Sequence, residues 1–528
     1  MPAASEQHRI VILGAGFAGI AAAIRCKRAG IDDFVILERA QQLGGTWRDN
    51  TYPGCACDVP SHLYSLSRAP KADWSWKYSP GPEIRAYLEQ VAEREGLRPH
   101  IRFGREVSQA RYLRATCRWQ IDAAAERYEA PVFIVAPGPL SDPKLPEIEG
   151  IERFSGELFH TARYRHDVPL AGRRVAVIGT GATAVQLIPK IAPDVAQLTV
   201  FQRTPAWVLP VRNRPIAPAA RALLAHVPLL RAALRAQIYL GRELLVPLLL
   251  HPRLGRIVER MASRHLREQV PDPALRAALT ARFPVGCKRI LLSNDYYPAL
   301  TRANVRLMSD PVAAFTQDGL RTRSASGQET EHRLDVVILA TGFRATEIPI
   351  AQRIYDSEGR TLAQAWAGSP RAYLGASVPR FPSLYLLYGP NTNLGHTSVI
   401  FMIESQLNHL MGALAETERR GAAGFDVRAE AYERFNARLQ RAFAGTAWAH
   451  GSCRSWYIDA NGTNSSIWPH STLLFYLRTR RFDPRAYSFL ERSANGRPHD
   501  IEPEATIGAA PLATDASAKR LFDPHTSS

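Results

Sequence analysis

The sequence predicts an α/β fold in which two units built on parallel sheets are separated by a helical insert. Residues 9–38 and 173–204 each follow the order strand, glycine-rich turn, helix, strand, which is typical of parallel sheets covered by helices. Residues 215–283 lose this alternation and carry leucines at helical spacing. A chain of 528 residues is long enough for two or three such domains.

The composition is that of a globular protein with a basic balance. Hydrophobic residues make up 46% and charged residues 22%, and the formal net charge of +17 is almost all arginine. The basic residues form no known nucleic-acid-binding module, so we expect no nucleic-acid partner. We interpret the charge as an arginine-rich surface that also favours anionic cofactors.

The cysteines and the N-terminal residues exclude several classes of protein. None of the six cysteines is spaced as Cys-x-x-Cys, which argues against a dithiol redox centre or a zinc site, and we expect no metal. The first apolar strand begins near Ile10 and leaves no room for a signal peptide. No run of about 18 uncharged apolar residues predicts a spanning helix. We expect a cytoplasmic protein in a reducing environment.

The first unit carries the pattern of a dinucleotide site. Gly14 permits a tight turn, Gly16 lets the backbone approach a pyrophosphate, and Gly19 lets helix and strand pack closely. Glu38 ends the next strand, 19 residues after Gly19, where an acid binds ribose hydroxyls. The helix N-terminus offers free N–H groups. We expect these residues to bind a dinucleotide: Gly14, Gly16, Phe17, Ala18, Gly19 and Glu38.

The second unit repeats the pattern without the acid. Its strand is followed by Gly179, Thr180, Gly181, Ala182 and Thr183, and its second strand ends in Gln202, Arg203 and Thr204. An arginine in place of the acid accommodates a 2′-phosphate, so this site should prefer NADP. Two adjacent nucleotides suit hydride transfer from a nicotinamide to a flavin, which makes the first site the FAD site.

Two segments beside the units also indicate ligand contacts or domain positioning. Gly44-Gly45-Thr46-Trp47 and the turn at Pro53-Gly54 surround large aromatic side chains, and Asp58 follows as a hydrogen-bond acceptor. Residues 154–164, which include His160, lie between the two units. We interpret them as a hinge in which His160 positions the domains.

The helical insert has two interpretations. Leucines of residues 229–250 alternate with Arg231, Arg235 and Arg242, which predicts helices with apolar and basic faces. The insert is either a cap over a substrate pocket or a peripheral contact with a membrane surface. We expect this division: 1–150 and 346–492 FAD-binding domain, 151–214 and 284–345 NADP-binding domain, 215–283 helical insert, 493–528 mobile tail.

Together these residues resemble the type I Baeyer–Villiger monooxygenases over roughly residues 8–490. The segment from Gly44 to Asp58 matches the family's long motif, and Lys288-Arg289 before Tyr296-Tyr297 matches its catalytic pair. The resemblance implies two Rossmann-like dinucleotide-binding domains (FAD and NADP) with an inserted helical subdomain. It implies NADPH as electron donor and insertion of one oxygen of O2 next to a ketone carbonyl through a flavin peroxide, giving an ester or lactone.

The resemblance also implies roles for individual residues. Arg289 would lie beside the flavin and Asp58 would hold it, which makes both catalytic. A guanidinium suits this place because it stays charged at neutral pH. Lys288 would bind the NADP phosphate with Arg203 and Thr204. Further FAD contacts are implied for Gly45, Thr46, Trp47, Tyr64 and Val107, and the turn 340–342 resembles the family's cofactor-side turn.

One motif departs from the family pattern and leaves a second reaction open. The linker motif ends in Tyr164-Arg165, where the family has Trp followed by Pro or Asp. This ending is closer to the related flavin-containing oxygenases that act on the nitrogen of amines or the sulfur of thioethers. A non-oxygenating NADPH-dependent reductase and a nucleotide-binding sensor would also account for two nucleotide sites.

Overall fold

The computed structural model describes residues 5–449, 453 and 455–491, so the tail expected at 493–528 lies outside the described residues. The strands are β1 Ser5–Gln7, β2 Ile10–Leu13, β3 Phe34–Glu38, β4 Ile101–Phe103, β5 Val107–Leu113, β6 Arg118–Ala123, β7 Glu126–Ala130, β8 Val132–Val135, β9 Glu157–His160, β10 Arg174–Ile178, β11 Gln197–Phe201, β12 Val208–Leu209, β13 Leu291–Leu292, β14 Val305–Met308, β15 Val312–Thr316, β16 Gly319–Arg323, β17 Glu329–Arg333, β18 Val336–Leu339, β19 Ile354–Tyr355, β20 Leu384–Leu386, β21 Gly424–Val427 and β22 Tyr487–Leu490.

The helices are α1 Phe17–Arg28, α2 Thr46–Asp49, α3 Gly81–Arg94, α4 Ala182–Ile191, α5 Pro218–His226, α6 Pro228–Glu243, α7 Val246–Leu250, α8 Pro252–Gln269, α9 Pro273–Ala278, α10 Tyr296–Leu300, α11 Leu362–Trp366, α12 Val399–Arg419, α13 Ala429–Arg441 and α14 Thr472–Thr479. Short 3₁₀ helices span Arg98–His100, Ile151–Arg153, Thr161–Arg163, Pro349–Arg353, Ala447–Ala449 and Pro484–Ala486.

Two five-stranded parallel sheets have equivalent strand orders. The first runs β20-β8-β2-β3-β4, and the second runs β9-β18-β10-β11-β14. In each sheet the strand before the glycine-rich turn lies in the centre, and the strand after the following helix lies beside it. The predicted α/β class with two Rossmann-like units is therefore confirmed.

Both faces of these sheets are buried, which explains their continuous apolar sequences. Every residue of β3 and β8 is buried, and so is every residue of β18. Helix α1 packs on the first sheet and helix α12 packs against α1. Burial extends to Glu38 at the end of β3, which is 4% exposed. A buried carboxylate needs hydrogen-bond donors or cations as partners, so Glu38 must be paired within the fold.

Antiparallel sheets attach to each unit. Strands β5, β6 and β7 form the antiparallel centre of a sheet whose edges, β1 and β19, pair in parallel. This sheet adjoins the first unit, since the indole of Trp119 in β6 donates to the carbonyl of Pro382 just before β20. Strands β15, β16 and β17 form a second antiparallel sheet beside the second unit.

The helical insert lies between two paired strands. Helices α5 to α9 lie within the expected 215–283, and the flanking strands β12 and β13 pair in parallel, so the chain returns beside its starting point. The structure shows which face of α6 meets the protein. Arg235 and Arg242 point into the protein and bond to residues of the 62–78 segment, while the outer face carries leucines.

The segment from Phe154 to Tyr164 forms the edge of the second sheet. An added Cβ at Gly156 would lie 2.6 Å from the carbonyl oxygen of Asp335, so the strand passes close to its neighbour. The ring of His160 accepts a hydrogen bond from the amide of Ala162 and packs edge-on against Phe343. Burial lowers the pKa of His160 to about 4, so its imidazole is neutral. These contacts support a structural role for His160.

Two further features concern cysteines and membranes. Cys287 and Cys453, which are 166 positions apart in the chain, form a disulfide. The sequence spacing did not predict this pairing, and it does not fit the expectation that the cysteines are kept reduced.

Among the described residues, no helix has the combination of length and hydropathy that a bilayer-spanning segment needs.

Candidate functional site

The first glycine-rich turn is held by close backbone contacts that only glycine permits. Gly14 has φ +98° and an added Cβ would lie 2.6 Å from the carbonyl oxygen of Ala136 at the end of β8. At Gly19 the added Cβ would lie 1.8 Å from the carbonyl oxygen of Gly14. Gly16 and Gly45 face each other, since a Cβ on Gly16 would meet the Cα of Gly45 at 3.8 Å. The turn and the Gly44-Gly45 segment therefore form one cradle.

The N-terminus of α1 at this cradle suits an anion. Its cap residue Gly16 supplies no capping side chain, and the first turn carries no acid. The first N–H groups of a helix have no partner within the helix, and the dipole is positive at this end. A pyrophosphate fits this arrangement.

Glu38 organises the other end of the first cradle. Its carboxylate accepts hydrogen bonds from the amide of Ala15 at 2.9 Å, from the amide of Ala40 at 2.9 Å and from Arg48 at 2.8 Å. The amide of Arg105 donates to the Glu38 carbonyl at 2.9 Å. Glu38 thus joins the turn to the end of β3, where the sequence predicts ribose binding.

Three aromatic rings gather beside the same turn. Phe17 packs edge-on against Tyr64 with centroids 5.0 Å apart, and the indole of Trp47 donates to the Tyr64 hydroxyl at 3.1 Å. Burial raises the pKa of Tyr64, so its hydroxyl stays protonated. Thr46 begins the short helix α2 that carries Trp47. Val107 lies apart from this cluster, at the start of β5, where its carbonyl accepts from Arg353.

The second glycine-rich turn repeats the geometry of the first. Gly179 has φ +115° and an added Cβ would lie 2.4 Å from the carbonyl oxygen of Ala340, at the turn that follows β18. The Thr180 hydroxyl donates to the carbonyl of Thr204 at 3.0 Å, which ties the turn to the end of β11. Gly181 caps α4 without a capping side chain or a first-turn acid. This turn also fits a pyrophosphate, and its first helical residues are Ala182 and Thr183.

Positive charge replaces the acid at the second site. Arg203 is exposed and pairs with no carboxylate among the described residues. Burial lowers the pKa of Lys288, and the nearby charge of Arg203 lowers it further. Gln202 is turned away and donates to the carbonyl of Ala278. Two cations without an acid suit a phosphate.

The segment after Trp47 bridges the two units, a relation that sequence reasoning missed. The Tyr52 hydroxyl donates to the side chain of Gln186 in α4 at 2.8 Å, and Gln186 donates back to the carbonyl of Ala56 at 2.9 Å. An added Cβ at Gly54 would lie 2.5 Å from the Gln186 carbonyl oxygen. The Pro53-Gly54 turn was the signal, since it indicates a close backbone approach. The segment that follows the first cradle is thus bonded directly to helix α4 of the second unit.

Arg289 and Asp58 form a two-point ion pair. Arg289 donates through Nε at 2.6 Å and through Nη2 at 2.7 Å to the two oxygens of Asp58, and each side chain is 28% exposed. The charge of Asp58 raises the pKa of Arg289. Burial alone would raise the pKa of Asp58, but Arg289 lowers it below its ordinary value. Both groups are therefore charged throughout the physiological range.

Arg289 lines a small, mostly apolar cavity of about 20 Å³. Its walls come from α7, from the segment before β13, from the loop before α12 and from the chain before α14: Val246, Leu249, Leu250, Gly286, Lys288, Ile290, Gly395, His396, Trp448, Tyr457, Ile467, Trp468 and His470. The buried Tyr457 hydroxyl has no hydrogen-bond partner among the described residues. Two cations, Arg289 and Lys288, therefore line a mostly apolar cavity.

Sequence reasoning missed one polar pair at this cavity. His396 lies 3.1 Å from Glu243, which also accepts hydrogen bonds from the amide and hydroxyl of Thr472. Burial alone would raise the pKa of Glu243, but the hydrogen bonds from His396 and Thr472 lower it. The available signal was that Glu243 is the only acid between residues 205 and 258.

The chain is similar to known proteins along nearly its whole length. A family model described as pyridine nucleotide-disulphide oxidoreductase matches residues 11–227. A Baeyer-Villiger monooxygenase of Streptomyces coelicolor is 46% identical over 96% of this chain and 96% of its own length. One of Pseudomonas aeruginosa is 40% identical over 92% of each chain. The crystal structure of OTEMO in complex with FAD and NADP has a TM-score of 0.82 and 26% identity, over 92% of this chain and 100% of that chain.

Proposed function

The chain belongs to the Baeyer–Villiger monooxygenases, and we propose that it uses FAD and NADPH to insert one oxygen atom of O2 next to the carbonyl of a ketone, giving an ester or lactone. It is an NADPH-dependent flavoprotein monooxygenase. The observation that carries the ketone proposal is that Arg289, paired with Asp58, lines a mostly apolar cavity.

Arg289 supplies a permanent positive charge beside the reacting atoms. FAD, when bound and reduced, supplies the activation of O2. A guanidinium stabilises negative charge and does not give up its proton near neutral pH. One charge pair at about 4 Å contributes roughly 4 kcal/mol at an effective dielectric of about 20, which corresponds to about three orders of magnitude in rate.

Asp58 positions Arg289. Two parallel hydrogen bonds fix the plane of the guanidinium and leave Nη1 turned toward the carbonyl of Leu394. A bidentate pair holds orientation better than a single contact. Asp58 therefore decides where the positive charge stands, and Arg289 acts on the reacting atoms.

Each glycine-rich turn is proposed to bind one cofactor. We assign FAD to the first cradle, with the ribose at Glu38. We assign NADP to the second glycine-rich turn, with its phosphate at Arg203, Thr204 and Lys288. The remaining contacts proposed for FAD are Gly14, Gly16, Phe17, Ala18, Gly19, Gly45, Thr46, Trp47, Tyr64 and Val107, and those for NADP are Gly179, Thr180, Gly181, Ala182 and Thr183. We propose the domain division 1–150 with 346–492, 151–214 with 284–345, and 215–283.

Oxygenation of a thioether or an amine is the second candidate, and Tyr164-Arg165 favours it. The contacts of these residues weaken that inference. Tyr164 packs edge-on against Phe159, and Arg165 pairs with Glu157 and Asp167 on the surface. Neither residue lines the cavity beside Arg289, so the departure in the motif does not alter the wall of the proposed substrate site.

A product panel tests the proposal. Purified holoenzyme is incubated with NADPH and either ketones or thioethers, and products are identified by mass. We expect esters or lactones from ketones, with NADPH consumption matched to product. Sulfoxides in the absence of any ester would favour the second candidate. NADPH consumption without any oxygenated product would contradict both.

Location and partners complete the proposal. We propose a cytoplasmic protein, because NADPH is its electron donor. We also propose that the helical insert provides a peripheral membrane contact, supported by the leucines on its outer surface. No nucleic-acid partner is proposed.

A further inference from the structure

Helix α6 has its polar face inside and its apolar face outside. Leu229, Leu240 and Leu244 are 83%, 60% and 78% exposed, and the residues between them on this face are Ala232, Ala233, Ala236, Gln237 and Gly241, all exposed and uncharged. Ten of the fourteen large apolar side chains that are exposed in the described residues lie between positions 223 and 261. A surface helix normally shows the opposite arrangement, so this face is adapted to an apolar neighbour.

The arginines of α6 are used inside the protein. Arg235 donates to the carbonyls of His62 and Ser65, and Arg242 donates to the hydroxyl of Tyr78. These bonds anchor α6 to the segment that follows Asp58. The leucines are therefore held outward by specific contacts on the opposite side of the helix.

Helix α8 adds positive charge to the exposed apolar surface. Leu254, Ile257 and Met261 form an exposed stripe, and the exposed Arg253, Arg256 and Arg260 flank it. These three arginines form no ion pair within the described part of the chain. Residues 215–283 hold eleven arginines against four acids, a formal net charge of +7. Lipid headgroups with negative charge are complementary to this surface.

We propose that the outer surface of α6 and α8 docks on an anionic phospholipid bilayer. The leucines would enter the boundary between headgroups and acyl chains while the arginines contact lipid phosphates. Pairing of this surface with a second copy of the chain is disfavoured, because it would bring two sets of unpaired arginines together.

The membrane surface and the cavity of Arg289 share one short helix. Helix α7 follows directly on α6, and its Val246, Leu249 and Leu250 line the cavity. The contact is close, since an added Cβ at Gly286 would lie 2.4 Å from the carbonyl oxygen of Leu249. The cavity of about 20 Å³ has room for about one water molecule, so a ketone enters this cavity only if part of the wall moves.

Helix α7 connects the proposed membrane surface on α6 with the wall of the cavity that Arg289 lines. Its five residues, Val-Pro-Leu-Leu-Leu, have no polar side chain to tie them to their neighbours. Movement of α7 would join the cavity to the bilayer. Resting on the proposed function, this geometry defines the substrate class as lipophilic ketones dissolved in a membrane.

Vesicle binding tests the surface without any turnover. Holoenzyme is sedimented with phosphatidylcholine vesicles that contain or lack phosphatidylglycerol. We expect binding only with the anionic lipid, weakened by added salt. Changing Arg253, Arg256 and Arg260 together to Gln should weaken binding about 100-fold. The matched control changes the exposed Arg434, Arg438 and Arg441 of α13 to Gln and should bind as the native protein does.

The leucines and the substrate class are tested with a second variant. Changing Leu229, Leu240 and Leu244 to Ser should lower vesicle binding about tenfold or more. It should slow oxidation of vesicle-embedded 2-tetradecanone by a similar factor and leave that of soluble 2-hexanone unchanged. Equal vesicle binding by the native and Leu→Ser proteins, or a dimer that only the native protein forms, would overturn the proposal. If the native protein binds vesicles but oxidises neither ketone, the result contradicts the proposed function and still supports the docking surface.

Discussion

Arg289 donates hydrogen bonds from Nε and Nη2 to the two carboxylate oxygens of Asp58, at 2.6 and 2.7 Å, although the two residues are 231 positions apart in the chain. Asp58 belongs to the segment that contacts α4 through Tyr52 and Gln186, and Arg289 follows the helical insert. The pair therefore joins the Asp58 segment, which contacts α4, to the chain that follows the helical insert. We expect replacement of Arg289 to affect the reaction and replacement of Asp58 to affect stability.

The charge of Arg289 should matter for oxygenation and not for cofactor binding. Arg289→Ala is expected to retain FAD and to oxidise NADPH, but to form ester about 10³-fold more slowly. Arg289→Lys keeps the charge without the planar fork and should recover only part of the rate. Product mass and NADPH consumption are measured in parallel. Ester formation by the Ala variant at the native rate would refute the role.

Removal of Asp58 should destabilise the fold, because Arg289 would be left without its partner. Asp58→Ala is expected to lower the free energy of unfolding by about 1–3 kcal/mol, less than for a fully buried pair because of partial exposure. Urea unfolding measures the difference. The exposed pair Arg264–Glu268 is the control, and Glu268→Ala should cost about 0.5 kcal/mol or less. Equal losses in the two variants would contradict this account.

Arg203 should determine the choice of nicotinamide cofactor. Arg203→Ala loses a charged contact with the 2′-phosphate, so the KM for NADPH should rise about 10- to 100-fold while the KM for NADH stays the same. Steady-state kinetics with both coenzymes provide the measurement. Arg306→Ala, at an exposed position on β14 of the same sheet, is the control and should change neither constant. A parallel rise for both coenzymes would argue against a phosphate contact.

Gly179, the first glycine of the second glycine-rich turn, should tolerate no side chain. Gly179→Ala forces a Cβ to 2.4 Å from a carbonyl oxygen at φ +115°, and we expect a loss of about 2–4 kcal/mol in the free energy of unfolding and no measurable NADPH binding. Gly172→Ala is the control, because Gly172 has φ +70° and no atom within 4 Å of the added Cβ. It should cost about 1 kcal/mol. Similar effects of both changes would show that contact with Ala340 is unimportant.

Asp426 should make stability depend on pH. Burial raises its pKa to about 7, so the folded protein retains a proton that the unfolded chain releases above about pH 4. The contribution of Asp426 to the free energy of unfolding should therefore be largest below about pH 4, fall by about 2–4 kcal/mol toward pH 7 and then level off. Asp426→Asn should remove this slope and raise the unfolding midpoint at pH 8 but not at pH 4. An identical gain at both pH values would exclude titration of Asp426 as the cause.

The local parts of the site were accessible from sequence because their physics is local. A glycine turn between a strand and a helix, followed by Glu38 or by Arg203, has its meaning within about thirty residues. The contact of Asp58 with Arg289 has no local signal, and only the family resemblance implied it. The Cys287–Cys453 disulfide and the Tyr52–Gln186 bond likewise depend on how distant segments meet.

The orientation of α6 illustrates a different limit. Helical periodicity predicts that leucines and arginines occupy opposite faces, but it does not say which face meets the protein. The answer depends on the carbonyls of His62 and Ser65, which accept from Arg235. Those acceptors lie 170 or more residues away in the chain.

The two sheets share a strand order and also a set of matched bonds. The amide of Gly14 donates to Leu37 as that of Gly179 donates to Phe201, and Ala136 bonds to Leu13 as Ala340 bonds to Ile178. The units are thus an internal repeat in which Glu38 and Gln202 are counterparts. On the proposed assignment, a few strand-end side chains on a common frame set each nucleotide preference, so we expect that exchanging those side chains would re-specify coenzyme choice while the sheets are left intact.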